Sequence, residues 1–149
     1  MPQRIARRLA LLLVSSALLL PGLAPQAQAL SLHGHCTKSG YNAGFTTYYR
    51  ESHSYNYIGL FTWDLRTTKH KLNNKSNIEI KQKWDKRFAK DPTVFHWKSG
   101  DNVHRGAGSH RPRHEIRIGI EHSTYSWYKA IFDRPHAKDP RCSTNTTRT

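Results

Sequence analysis

Acidic side chains are scarce in this chain, which has ten Asp and Glu residues against 24 Lys and Arg and a formal net charge of +14. A charge of this size bears on partners and solubility rather than on fold. Nucleic acid, anionic glycans, lipopolysaccharide and negatively charged bilayers all attract such a surface. The composition therefore predicts an anionic polymer or an anionic membrane surface as the partner.

Several motifs are also missing. There is no Gly-x-Ser-x-Gly nucleophile elbow, no glycine loop for phosphate, no His-Glu-x-x-His and no Cys-x-x-Cys. The tract His33-Gly34-His35-Cys36 has metal-binding residue types, but a disulfide at Cys36 would leave only two histidines, a weak site. We accordingly predict no cofactor and no metal.

Long hydrophobic runs are confined to the first residues of the chain. Arg4, Arg7 and Arg8 precede an apolar segment, Leu9 to Leu20, and Ala27-Gln28-Ala29 is a small-x-small cleavage sequence. An apolar run of about twelve residues is too short to span a bilayer as a stable helix. Residues 1–29 are predicted to be a cleaved signal peptide of bacterial type, and the protein to be secreted or periplasmic, with no transmembrane segment in the mature chain.

Cysteine is limited to Cys36 and Cys142, near the two ends of the mature chain. In an oxidising compartment an even pair predicts a disulfide, which is worth roughly 4–5 kcal/mol for a loop this long in the chain-entropy model. We expect one globular domain over 30–142. The tail STNTTRT, 143–149, has no apolar side chain to bury and is predicted to be disordered. All ten acidic residues and all but three basic ones lie after the signal, so the mature net charge is +11.

The mature sequence indicates an α+β, β-rich fold with an antiparallel sheet. Phe, Tyr, Trp, Thr and Ile are dense between Gly44 and Leu72, which predicts an N-terminal hairpin that turns at Arg50 to Ser54. Between Ser76 and Pro92, a capping box formed by Ser76 and Glu79 favours one short helix near 77–90. The segment also fits a strand, and an all-β sandwich is then the alternative. Residues 99–112 are predicted to be a long loop.

Basic residues crowd two regions of the chain. Phosphate-rich partners are held by such groups through charge neutralisation and counterion release. The predicted polyanion-binding residues are Lys69, Lys71, Lys75, Lys81, Lys83, Lys86, Arg87, Lys90, Arg111 and Arg113. A solvated surface without a dedicated partner is the alternative interpretation of such runs.

The stretch RPRHEIRIGIEH, Arg111 to His122, alternates strictly at its centre, which predicts a strand at His114–His122 with isoleucines on one face and Glu115, Arg117 and Glu121 on the other. The two glutamates lie about 20 Å apart along an extended strand, too far to act as a close carboxylate pair. Glu115 and Arg117 are same-face neighbours about 7 Å apart by strand rise. Together with a histidine, they would suffice for metal-free RNA cleavage. The candidate catalytic residues are Glu115, Arg117, Glu121, His104, His110 and His136, and His96 is an alternative for the acid.

The layout of terminal disulfide, early hairpin, one helix and a sheet face with Glu, Arg and His resembles that of small basic secreted ribonucleases and ribotoxins. The resemblance covers most of the mature chain, rests on layout alone and carries over no residue. The leading functional prediction is a secreted, strongly basic protein that binds polyanions mainly by electrostatics. The alternatives are a metal-independent ribonuclease toxin and an antibacterial or membrane-active protein, and the sequence leaves the oligomeric state open.

Overall fold

The computed structural model describes residues 29–68, 72–104 and 106–149. The predicted signal peptide lies outside these residues except for Ala29. The described residues form antiparallel strands and contain no helix. The strands are β1 Leu30–Lys38, β2 Tyr41–Ser52, β3 Tyr55–Thr67, β4 Asn77–Trp84, β5 Thr93–Lys98, β6 Gly106–His110, β7 Ile116–Gly119, β8 Thr124–Ile131 and β9 Arg141–Asn145.

Two sheets share these strands. Sheet A has the order β1-β2-β3-β6, and β7 also pairs with β3; sheet B has the order β5-β4-β8-β9. Two-residue turns connect β1 to β2 and β2 to β3, and all four of their residues have positive φ, among them Gly40 at 81° and His53 at 48°. Turns of this hand match the twist of paired strands. The predicted N-terminal hairpin is present as β2–β3, whereas β1 was not predicted.

Aromatic side chains pack the two sheets face to face. Phe45 of β2 stacks on Tyr128 of β8 with ring centroids 4.5 Å apart, and Phe61 of β3 stacks on Phe95 of β5 at 5.4 Å. Phe61 and Tyr128 are fully buried. Burying a ring of this size contributes about 1.5–3 kcal/mol relative to leaving it exposed. The structure is therefore β-rich with two layers, as in the all-β alternative.

The helix predicted near 77–90 is wrong. Residues 77–84 form the central strand β4, in which Ile78, Ile80 and Gln82 point inward and are buried. The capping box does not form, because the Ser76 hydroxyl accepts a hydrogen bond from the backbone of Asp133 instead. Residues 85–92 then turn back towards β5. Tertiary burial has overridden a local helix signal.

A buried polar network explains why Gln82 belongs to the inner face of β4. Its amide nitrogen donates to Thr124 Oγ1 at 2.6 Å, and its amide oxygen accepts from Ser126 Oγ at 2.5 Å. The Ser126 hydroxyl also contacts Thr47 Oγ1 of sheet A at 2.6 Å, and Thr47 contacts the Tyr128 hydroxyl at 2.8 Å. Hydrogen bonds therefore link the sheets at Gln82, the polar residue that breaks the apolar alternation of Ile78 and Ile80 in the sequence.

The predicted disulfide is confirmed between Cys36 of β1 and Cys142 of β9, the edge strands of the two sheets. The same edges come close at Gly34, where a Cβ atom would lie 3.0 Å from the Asn145 carbonyl oxygen. A side chain at this position would press against the backbone of β9, which would have to shift by a few tenths of an ångström. The bond therefore closes one side of the sandwich.

The chain end is ordered, in contrast to the disordered tail predicted for 143–149. Part of this segment lies in β9, which pairs with β8. Beyond it, the Thr147 amide donates to the His33 carbonyl and the Thr149 amide to the Thr124 carbonyl. Thr146 is buried. Backbone hydrogen bonds order this segment without any apolar side chain, which a composition argument does not detect.

Two further boundaries differ from the sequence prediction. The loop predicted over 99–112 contains β6, which pairs with β3. The strand predicted at His114–His122 is shorter, because β7 ends at Gly119 and Ile120 is 54% exposed in the following turn. The isoleucine face is confirmed only for Ile116 and Ile118, which belong to the core or pack against it.

Replacing Gln82 by Met should lower the free energy of unfolding by about 1–3 kcal/mol, since the buried hydroxyls of Thr124 and Ser126 lose a partner each. Urea unfolding measures the change. Lys83→Met, on the opposite face of β4, is the control and should stay within about 0.5 kcal/mol of the wild type. Equal stability of Gln82→Met and the wild type would contradict the proposed role of the network.

The turn at 85–92 should weaken in acid. Asp91 accepts hydrogen bonds from the Tyr125 hydroxyl at 2.5 Å and from the Lys86 amide at 3.0 Å, and these bonds lower the pKa of Asp91. Burial, followed by the hydrogen bond to Asp91, raises the pKa of Tyr125 to about 12. A carboxyl group whose pKa is lowered in the folded protein stabilises the fold at pH values above its ordinary pKa. This contribution is lost as the pH falls through the pKa of the folded protein.

Asp91→Asn should therefore unfold at lower urea concentration than the wild type at neutral pH. The difference between the two proteins should shrink below about pH 4, where the wild-type carboxylate takes up a proton. Urea midpoints measured across the acidic range test this expectation. A difference that does not depend on pH would contradict it.

Candidate functional site

Glu115 and Arg117, the predicted same-face neighbours, each contact a different side chain. Glu115 pairs with Arg50 of β2, with Nη2 and Oε2 2.7 Å apart. The Arg117 guanidinium lies over the Tyr55 ring, 4.4 Å from its centroid. Both side chains are exposed. Glu115 pairs with a side chain of β2, and Arg117 contacts a side chain of β3.

The other candidate catalytic residues are spread over the described structure. Glu121 lies in the turn after β7, 3.5 Å from the His122 ring nitrogen. His110 stacks on Trp97 with centroids 4.1 Å apart, and burial lowers the pKa of His110. His104 and His136 are exposed in connecting segments. Among the residues that the structure describes, no hydrogen bond, ion pair or ring contact joins any two of the six candidates.

The predicted polyanion-binding residues divide into several groups. Lys69 and Lys71 lie outside the described residues, and Lys75 is exposed just before β4. Lys81 and Lys83 project from the outer face of β4. The remaining predicted cations occupy the turn after β4 (Lys86, Arg87, Lys90) and the segment after β6 (Arg111, Arg113).

The register of sheet B assembles a basic surface from three strands. Glu79 of β4 lies between Lys98 of β5 and Lys129 of β8. One step along, Lys81 lies between His96 and Trp127. Residues directly opposite each other on neighbouring strands are close enough for their side chains to interact. We call these outward side chains the basic face: Glu79, Lys81, His96, Lys98, Trp127 and Lys129.

Glu79 is the only carboxylate of the basic face and lies at its centre. Its Oε1 is 2.9 Å from His96 Nε2 and 3.4 Å from Lys81 Nζ, and Lys98 and Lys129 approach the carboxylate at 4.0 and 3.9 Å. The side chain is only 17% exposed. Burial alone would raise the pKa of Glu79, but the hydrogen bond from His96 and the charges of Lys81 and Lys98 outweigh it, and this pKa is lowered.

A shallow depression of about 260 Å³ adjoins this carboxylate. Glu79, Lys98 and Lys129 line one part of it, and Ile78 and Ile131 supply apolar wall. Next to it, the Lys81 ammonium lies 4.8 Å from the centroid of the Trp127 ring. The arrangement offers positive charge, a concave surface and an aromatic platform within one sheet face.

The outer face of sheet A is different in character. A groove of about 610 Å³ runs over its central strands and is lined by His33, Thr46, Thr62, Asp64 and Ser109 among others. Its acid, Asp64, is paired with Arg66. His33 bonds to the Ser31 and Thr46 hydroxyls. No lysine or arginine of the described residues lines this groove, in contrast to the depression beside Glu79.

Sequence reasoning missed Lys98, Trp127 and Lys129 as members of one surface. The available signal was the alternation of Ile78, Ile80 and Gln82, which in a strand places Glu79 and Lys81 on the other face. Lys98 and Lys129 join them only through pairing between strands. That pairing is not encoded in local spacing.

Among the residues that the structure describes, no three His, Cys, Asp or Glu side chains are grouped so that they would hold a metal ion. Within the same part of the chain, no helix has the length and hydropathy needed to cross a bilayer. Comparison with protein-family models, curated proteins and solved structures finds no match to this chain.

Proposed function

We propose that this protein binds polyanions through the basic face of sheet B, mainly by electrostatics. The observation that carries the proposal is the cross-strand placement of Lys81, Lys98 and Lys129 around a single carboxylate. A nucleic acid, an anionic glycan or a cell-envelope polymer supplies repeated negative charges to such a surface. Each phosphate or sulfate neutralised by a lysine releases a counterion, which drives binding at low salt.

Trp127 adds a contact that charge alone does not provide. Its ring is partly exposed between the lysines of the basic face. Bases of single-stranded nucleic acid stack on such rings at about 1–3 kcal/mol per base, largely without regard to sequence. The basic face therefore fits an extended polymer with planar groups between its charges.

We also propose that the protein acts after export. The disulfide between Cys36 and Cys142 supports this because such bonds persist in oxidising compartments.

A second candidate function is metal-independent RNA cleavage, and the Glu79–His96 hydrogen bond favours it. Glu79 would take the proton of a ribose 2′-hydroxyl while the 2′-oxygen bonds to phosphorus. The bond to the 5′-oxygen would break, with His96 in its protonated form giving that oxygen a proton and Lys98 and Lys129 stabilising the phosphoryl charge. The sequence suggested His96 as an alternative acid, whereas Glu79 was not among the catalytic candidates.

Replacing Lys98 and Lys129 together by Gln should weaken binding to a single-stranded oligonucleotide and to heparin. The slope of log affinity against log salt should fall by about two, one for each cation removed. The matched control is Arg66→Gln with Arg117→Gln, which removes the same charge from sheet A. Equal losses in both double variants would show that net charge, and not the basic face, controls binding.

Glu79→Gln separates the two candidate functions. Polyanion affinity should rise, roughly threefold to tenfold, since the lysines lose an internal anion that competes with the partner. Any RNA cleavage measured with a chelator present should disappear. Asp64→Asn, which removes a paired carboxylate from sheet A, should change neither property. Unchanged or weaker binding by Glu79→Gln would contradict the polyanion proposal, and persistent cleavage would contradict the enzymatic one.

A further inference from the structure

Phe88 is the most exposed large hydrophobic side chain in the described part of the protein, at 91%. It lies in the turn between β4 and β5, over residues 85–92. A single exposed apolar residue is common on protein surfaces. Phe88 is unusual because of the charges around it and the way in which its turn is held.

Cations surround Phe88 in the sequence and in space. Lys86, Arg87 and Lys90 are all exposed, and the Arg87 guanidinium lies 5.3 Å from the centroid of the Phe88 ring. We call residues 86–90 the cationic tip. The two carboxylates at its base are engaged elsewhere, since Asp85 pairs with Arg148 and Asp91 accepts from Tyr125. Residues 86–90 themselves contain three cations and no acidic side chain, and among the described residues no salt bridge joins Lys86, Arg87 or Lys90 to a carboxylate.

Hydrogen bonds hold the cationic tip in place. The Asp85 amide donates to the Ser123 carbonyl at 2.7 Å, and the Lys86 amide donates to the Asp91 carboxylate at 3.0 Å. Within the tip, the Ala89 amide bonds to the Lys86 carbonyl at 3.2 Å. Because the turn is already ordered, presenting Phe88 to a partner costs little conformational entropy.

We propose that the cationic tip docks on an anionic lipid bilayer, with Phe88 inserted at the boundary between headgroups and acyl chains. Lysine and arginine side chains then remain at the level of the anionic headgroups, as their long stems allow. An aromatic residue flanked by basic ones is the combination that binds such interfaces. Charge complementarity selects this occupant over a neutral membrane.

Nucleic acid fits the cationic tip less well than lipid does. Single-stranded nucleic acid binds through several charges and rings spaced along its backbone, whereas the tip presents a single ring. A nucleic acid can instead bind to the basic face, where Trp127 of β8 lies opposite Lys81 of β4. The lipid proposal does not depend on the polyanion proposal, since the two use different residues.

The test is binding of the purified protein to phosphatidylcholine vesicles with and without phosphatidylglycerol, measured by co-sedimentation. Phe88→Ala should weaken binding to the phosphatidylglycerol-containing vesicles roughly tenfold or more, because the apolar side chain no longer enters the interface. Phe88→Leu should bind nearly as well as the wild type, since lipid insertion needs apolar area and not a ring. The matched control is Ile120→Ala, which truncates another exposed apolar residue in the turn after β7 and should have no effect.

Two results would overturn the lipid proposal. One is equal vesicle binding by Phe88→Ala and the wild type, with loss confined to the Lys98→Gln and Lys129→Gln double variant. That result would leave the polyanion proposal standing. The other is a Phe88→Leu variant as weak as Phe88→Ala, because dependence on the ring itself indicates stacking on a planar group such as a base.

Discussion

Packing of the two inner sheet faces is the constraint on which the rest of this structure depends. Aromatic stacks such as Phe45 on Tyr128, together with the hydrogen bonds of Thr47 to Ser126 and Tyr128, determine which side of β8 points inward. Gln82, bonded to Ser126, does the same for β4. Because side chains alternate along a strand, the residues on either side of an inward-pointing residue point outward. The basic face is therefore a consequence of core packing, and a register shift of one residue in β4 would bury its lysines.

Concentrating cations on one sheet face has an electrostatic cost, which Glu79 reduces. Its carboxylate lies within 4.0 Å of three ammonium groups and bonds to His96. The lowered pKa keeps this carboxylate ionised at neutral pH. In the function that we propose, an anionic partner competes with Glu79 for the same lysines, so the same interaction limits its affinity. Stability of the free protein and affinity for a polyanion therefore oppose each other at this residue.

The sequence was sufficient for features that depend on local pattern or on counting. Two cysteines near the chain ends predicted their bond, and aromatic and β-branched residues predicted the hairpin of β2 and β3. It was insufficient where a distant partner decides the outcome. Ser76 and Glu79 match a capping box. In the structure, the Asp133 amide donates to the Ser76 hydroxyl, and lysines of β5 and β8 pair with the Glu79 carboxylate. Lys98 and Lys129 become neighbours of Glu79 only through strand pairing.

The two proposed binding surfaces, the basic face and the cationic tip, rely on interactions that differ in range and in salt dependence. Lysines of the basic face act over distances comparable to the Debye length, about 10 Å at moderate salt, and their contribution falls as salt rises. Insertion of Phe88 acts only on contact and is largely insensitive to salt. The turn that carries the tip is bonded to sheet B, since Asp91 accepts a hydrogen bond from Tyr125 of β8, two residues before Trp127 on the same strand. A bilayer that carries anionic polymer or anionic lipid presents both kinds of target together. If both proposals hold, two weak contacts of different kinds on one protein would give stable association where either alone is readily reversible.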